Sequence, residues 1–142
     1  MFKLFLETIT KKYFKTSNRA GRKEYFSFLL FSTLLTEIAG FIFIINDQKM
    51  NWFIGSLVFI TILFTLYSFI PSITLTVRRL HDLNFSGWWF LIVILLSVIM
   101  VLFSNNKIIY YSLLFVLFTG IIYLFFKKGT PTTNKYGELP ID

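Results

Sequence analysis

Four stretches of this 142-residue chain run almost without charge, and they constrain the fold more than any other feature. They are Tyr25 to Ile45, interrupted only by Glu37; Trp52 to Val77, with Pro71 near its far end; Trp88 to Phe103; and Ile108 to Phe126. A bilayer core ~30 Å thick takes about 20 apolar residues in helix. The first and fourth stretches fit, and the second is long enough to tilt or to bend at Pro71. The third, about 24 Å by helical rise, needs Ser86, Gly87 or Ser104 to extend its ends, or a locally thinned bilayer. A soluble helical bundle would need polar outward faces with a 3.6-residue period. Leu91 to Phe103 and Leu113 to Leu117 are instead apolar on every side. The expected fold is all-α: a polytopic membrane protein with four transmembrane helices at about residues 25–45, 52–77, 87–104 and 108–126, one membrane domain over 1–142.

Charge position orients the chain. Lys3, Lys11, Lys12, Lys15, Arg19, Arg22 and Lys23 precede the first span, Arg78 and Arg79 lie between the second and third, and Lys127, Lys128 and Lys135 are in the tail. The other two loops hold only Lys49 and Lys107. Short cytoplasmic loops carry the excess of Lys and Arg, so residues 1–24, the tail 127–142 and both termini are expected in the cytoplasm. Trp52, Trp88, Trp89, Tyr25, Tyr110 and Tyr111 fall at span ends, where amphipathic rings sit. The net charge of +7 is thereby read as a topology signal, and no nucleic-acid partner is expected. The first apolar run starts late and lacks a small-residue cleavage site, so no cleavable signal peptide is expected. With no cysteine there is no disulfide, thiolate zinc site or thiol nucleophile.

Before the first span, Phe2, Phe5, Leu6, Ile9 and Tyr13 recur at one helical face, with Lys3, Lys11, Lys12 and Lys15 mostly off it. Met1 to Thr16 therefore reads as an amphipathic helix in the inner-leaflet interface.

Three polar stretches stand on the expected cytoplasmic side: Asn18-Arg19-Ala20-Gly21-Arg22-Lys23-Glu24-Tyr25-Phe26, then Arg78-Arg79-Leu80-His81-Asp82 continuing to Ser86-Gly87-Trp88-Trp89, then Gly129-Thr130-Pro131-Thr132-Thr133-Asn134-Lys135-Tyr136-Gly137-Glu138-Leu139-Pro140. In these stretches and in Pro71 the chain resembles the YhaH/YhaI-like bacterial inner-membrane family, classed as a domain of unknown function. Asn18, Phe26 and Thr132 depart from the family's glycine, tryptophan and glycine; Asn also tolerates a left-handed backbone. The resemblance implies an inner-membrane address and a topology, and no reaction.

Two readings of the polar residues follow from their chemistry. In one, Ser86 caps the third span, and Arg78, Arg79, His81 and the Ser86-Gly87 backbone form a site for an anionic lipid headgroup. In the other, the cluster of Arg19, Arg22, Glu24, Arg78, Arg79, His81, Asp82, Ser86 and Asn134 is a structural staple. There Glu24 pairs with Arg78 or Arg79, Asp82 pairs with a nearby Arg, His81 caps a carbonyl, and Gly129, Gly137 and Pro140 fold the tail back. His81 and Asp82 are adjacent and do not face each other on a helix. No catalytic residue, metal ligand set or cofactor is therefore expected. Inside the membrane Glu37 is the conspicuous residue, and Thr61, Thr65, Ser68, Ser72 and Thr76 form a hydroxyl stripe on the second span. They read either as interhelical hydrogen bonding or as a proton or solute path. Three functions remain: a non-enzymatic module binding anionic lipid, or a protein partner or second copy; a small oligomeric transporter or channel component; and an enzyme acting on a lipid phosphate.

Overall fold

The computed structural model describes residues 1–46 and 51–140. Lys49, one of the two cations assigned to the far side, lies outside the described residues. Five helices follow in order: α1 (Phe2–Ile9), α2 (Arg22–Ile45), α3 (Trp52–Asp82), α4 (Trp89–Leu102) and α5 (Lys107–Phe126). α2, α3 and α5 are long and apolar enough to cross a membrane; α4 is apolar but shorter. At 14 residues α4 spans about 21 Å, short of the expected 87–104.

The helix starts are set locally. Asn51 Oδ1 accepts from the Ile54 amide at 2.9 Å, and Asn106 Oδ1 accepts from the Ile108 and Ile109 amides at 3.2 and 3.3 Å. Both therefore satisfy amides that a helix start leaves without partners. Ser86 does not cap α4 as expected. The capping position is Trp88, and Ser86 Oγ accepts only a long 3.4 Å bond from the Trp88 amide. The reason is the turn before α4, which is held by backbone bonds from Trp89 to Ser86 and from Phe90 to Gly87.

Pro71 lies inside α3 without ending it. A proline at this position gives the carbonyl four residues earlier no amide donor, and that carbonyl belongs to Tyr67. Tyr13 Oη donates to it at 2.8 Å, while Tyr67 Oη donates to the Ile9 carbonyl at 2.6 Å and Thr74 Oγ1 to the Tyr13 carbonyl at 3.1 Å. The chain before α2 is thus docked on the proline turn of α3.

That docking changes the reading of the N-terminal segment. Its helix ends at Ile9, not Thr16, and one side of it is consumed by packing. Phe5 is buried against Phe28 and Phe31, with ring centroids 6.2 and 5.4 Å away. Phe2, Leu6 and Phe14 remain exposed. Phe5, Ala20, Tyr25, Phe28 and Leu75 form the buried core, and it sits where the N-terminal segment, the start of α2 and the end of α3 meet. No residue of α4 or α5 is buried. Such a surface is consistent with lipid, where apolar side chains need no burial in protein.

Candidate functional site

The polar residues gather at the end of the bundle that holds this core. α3 is 31 residues long, about 46 Å, so its last turns must project beyond a ~30 Å apolar layer. Those turns carry Arg78, Arg79, His81 and Asp82. The sequence reading placed the Arg pair just past a span ending at Val77; the structure keeps all four residues helical. Neighbours on a helix point about 100° apart, and the two arginines accordingly serve different partners.

Arg79 turns to Asp82 one turn on and hydrogen-bonds it through Nη1. Its Nε donates to the Leu124 carbonyl at 2.8 Å and its Nη2 to the Lys127 carbonyl, which ties α3 to the end of α5. Arg19 takes the other Asp82 oxygen, with Nε and Nη2 donating to Oδ1 at 3.0 and 2.8 Å. Its remaining donors go to the Thr132 and Thr130 carbonyls at 2.8 and 2.6 Å. Arg19, Arg79 and Asp82 are 4% exposed or less, so one carboxylate lies between two guanidiniums out of water.

The backbone completes this junction. The last carbonyls of a helix need partners from outside it. The Thr130 amide donates to the Asp82 carbonyl at 3.0 Å, and Asn134 Nδ2 donates to the His81 carbonyl at 2.9 Å. The Ala20 amide reaches the Arg78 carbonyl at 3.1 Å. Asn134 is positioned by a tight turn in which it and Gly137 exchange backbone bonds, and Gly137 has φ +123°, where a side chain is strained. Asn18 enters the junction at φ 72°, the left-handed conformation its type tolerates. His81 hydrogen-bonds the backbone of Asn18. Its ring stacks on Tyr136 at 3.9 Å and 7°, and burial pushes its pKa below the ordinary histidine value.

Beside this junction lies a second one. Arg78 Nη1 pairs with Glu24 Oε1 at 2.9 Å, and Glu24 also takes Lys12 Nζ at 3.0 Å and Thr8 Oγ1 at 3.2 Å. Arg78 and Glu24 are 1% and 4% exposed. A cavity of about 430 Å³ opens here, lined by Lys12, Lys15, Asn18, Arg19, Glu24 and Arg78 on one side and by residues 137–140 on the other.

Of the cluster residues, the structure brings together Arg19, Glu24, Arg78, Arg79, Asp82 and Asn134, with His81 beside them. Arg22 is exposed in the first turn of α2, outside the cluster, and Ser86 stays at the α4 turn. The expected headgroup site of Arg78, Arg79, His81 and the Ser86-Gly87 backbone is not assembled, because both guanidiniums are drawn to carboxylates. Gly87 instead packs against Val77 and His81. Glu37 is exposed on the outside of α2 and has no hydrogen-bond partner among the described residues. The stripe does not reach it: Thr61 and Thr65 donate to the Leu57 and Thr61 carbonyls one turn back, at 2.8 and 2.9 Å. Among the described residues no three His, Asp or Glu side chains gather as metal ligands would.

Residues that the sequence reading missed are Thr8, Lys12, Thr130 and Tyr136. Thr8 carried a usable signal, since it follows Phe5 at i+3 on the packed face of α1.

A family model described as protein of unknown function (DUF805) matches residues 13–138. Inner membrane protein YhaI of Escherichia coli K12 is 30% identical over 136 residues, covering 94% of this chain and 92% of that relative. Inner membrane protein YhaH of the same strain is 28% identical over 137 residues, covering 93% and 92%. No solved structure matches the chain.

Proposed function

The chain belongs to the DUF805 family of proteins of unknown function, and from that premise we propose that it is a non-enzymatic module of the bacterial inner membrane that holds anionic phospholipid headgroups at its cytoplasmic end. The sorting of cations carries this reading. Arg19, Arg78 and Arg79 are buried in ion pairs, whereas Lys3, Lys11, Arg22, Lys23, Lys127 and Lys128 stand exposed at the same end. Phe2, Leu6 and Phe14 are exposed beside them, which suits a surface half in the headgroup layer. Each cation near an anionic leaflet is worth about 1 kcal/mol.

Both termini are cytoplasmic in this reading, and α4 is a fourth crossing. The start of α4 packs on Val77 and His81 through Gly87, and the end of α5 is bonded to Arg79. α4 and α5 therefore leave from and return to one end of the bundle. At that end Asp82 is engaged by two guanidiniums and His81 is stacked on a tyrosine, which supports a non-enzymatic role. Glu37, facing outward near mid-span where a charge costs at least ~2.5 kcal/mol, favours a second copy of the chain covering that face, and a transport path would have to form between such copies.

Lipid retention tests the proposal. Protein purified from anionic membranes retains phosphatidylglycerol over phosphatidylcholine, and replacing Lys3, Lys11, Lys127 and Lys128 with Gln weakens retention by roughly fivefold per charge at low salt. Equal retention of the two lipids by the wild type would overturn it.

A further inference from the structure

Glu37 and the hydroxyls of α3 lie at one depth but on opposite sides of the protein. The start of α2 meets the end of α3 at the Glu24–Arg78 ion pair, so the two helices run antiparallel. Glu37 lies thirteen residues after Glu24, and Thr65 lies thirteen residues before Arg78. Each is therefore about 20 Å from that pair along its helix. Thirteen residues also turn a helix through about 3.6 turns, so both side chains leave the face on which the helices meet. Both helices are right-handed and both residues leave in the same rotational sense, which carries them to opposite sides of the pair. Both are exposed. An acid inside an apolar layer ordinarily pairs with another polar group, and Glu37 has no such partner among the described residues.

The two sides differ in shape. Around Glu37, α2 presents a ridge in which Phe41 and Ile44 are exposed. Gly40, one turn on, has nothing within 4 Å of a Cβ. Alanine is the better helix former, so the protomer has no use of its own for this glycine, whereas a helix approaching from outside does. The Thr65 side is concave. Phe69, one helical turn from Thr65, lines an apolar groove of about 560 Å³ between α3 and α4, with Ile73 beside it and Ser97 across it. Thr65 and Ser68 donate to the Thr61 and Thr65 carbonyls of their own helix, and each hydroxyl oxygen keeps its capacity to accept.

We infer that α2 of a second copy seats its Glu37 ridge in the α3–α4 groove of its neighbour, with the Glu37 carboxyl hydrogen-bonded to Thr65. Equal depth supplies the register for copies inserted the same way. The carboxyl and the hydroxyls supply the polar match, and the ridge and groove supply the shape. One chain cannot make this contact with itself, because its two halves face apart. A contact between two different faces is heterologous, so it passes from copy to copy into a ring or a row, unlike a twofold dimer. The inference names the face that meets Glu37 and rests on the reading above that α2 and α3 cross the membrane.

The chain has no cysteine, so single cysteines in the full chain test this in membranes under mild oxidation. Thr33 precedes Glu37 by one turn and Ser68 follows Thr65 by one, which sets them at matching depths in adjoining copies. Both hydroxyls bond only carbonyls of their own helix, so cysteine disturbs little. Thr33→Cys mixed with a differently tagged Ser68→Cys is expected to cross-link, neither is expected to cross-link alone, and the double variant is expected to give a ladder of dimers, trimers and higher species. Glu37→Leu lowers the cross-linked yield about three- to tenfold, and Glu37→Gln, which still donates and accepts, retains it. Self-linking of Thr33→Cys as strong as the mixture shows a twofold contact and overturns the groove. No cross-link in any arrangement, or equal yields with Glu37→Leu and wild type, also overturns it. Labelling of Thr33→Cys by a water-soluble maleimide removes the membrane setting, and the inference with it. The headgroup reading fails separately: a ladder formed by protein that retains phosphatidylglycerol and phosphatidylcholine equally keeps the interface and removes the lipid role.

Discussion

Asp82→Asn destabilises the polar end of the bundle by about 3–5 kcal/mol, the magnitude expected when a buried ion pair loses one member. The replacement is nearly the same shape, so packing is preserved and the effect isolates charge. It takes the carboxylate from two buried guanidiniums at once: Arg19, bonded through Nε and Nη2, and Arg79, bonded through Nη1. Exposed ion pairs on the same molecule are worth about 0–1 kcal/mol, and Asp82, 2% exposed, belongs to the other class. The spans stay inserted, because their apolar length does not depend on Asp82. The expected record is therefore an early unfolding step, seen by fluorescence of Trp88 and Trp89 in a denaturing-detergent titration, followed by a second step at the wild-type position. A single transition unchanged from wild type would place the ion pairs among interactions of no consequence.

Gly129→Ala releases the tail. Gly129 lies against Asp82 so closely that a Cβ there would overlap the carboxylate, and the carboxylate cannot move aside while two guanidiniums hold it. Overpacking costs about 1–3 kcal/mol where neighbours can shift; here the tail, held by hydrogen bonds and one ring stack and not by a buried core, moves instead. Its departure also breaks the Thr130 amide bond to the Asp82 carbonyl and the bonds that Arg19 makes to Thr130 and Thr132. Trypsin then cleaves after Lys135 faster, on the order of tenfold for each 1.4 kcal/mol lost, since cleavage follows the population of the open form. Gly120→Ala is the control: nothing lies within 4 Å of a Cβ there, and the helix gains rather than loses from alanine. Equal cleavage of Gly129→Ala and Gly120→Ala would contradict the docked tail.

Much of this architecture is written in the sequence where one physical term dominates. The apolar runs locate α2, α3 and α5 closely, with α3 starting at Trp52 and α2 ending at Ile45 as expected. α3 runs five residues past Val77 because Arg78 to Asp82 are good enough helix formers once their carbonyls are met by Ala20, Asn134 and Thr130. Two of those donors, the Ala20 and Thr130 amides, are backbone atoms, which leave no trace in a motif of side chains. Motif residues told which charges meet, as with Glu24 and Arg78, but not which of two adjacent arginines faces which carboxylate. That choice is fixed by a helical rotation of about 100° that only packing can set. The direction of Glu37 was hidden for a related reason: on a helix apolar all round, periodicity carries no inward side. The bond from Tyr13 to the Tyr67 carbonyl was open to inference, because Pro71 leaves that carbonyl without its amide.

The central claim is that the N-terminal segment, the end of α3 and the tail form one closed junction, and hydrogen exchange in lipid nanodiscs tests it most directly. Two amides that cross between those segments are diagnostic: Ala20, bonded to the Arg78 carbonyl, and Thr130, bonded to the Asp82 carbonyl. Both lie outside the helices and would exchange freely if the segments were merely adjacent. The account predicts that both are protected on the order of a hundredfold or more and lose protection together in Asp82→Asn, as members of one cooperative unit. Exchange of either amide at the rate of an unstructured chain in the wild type would contradict it.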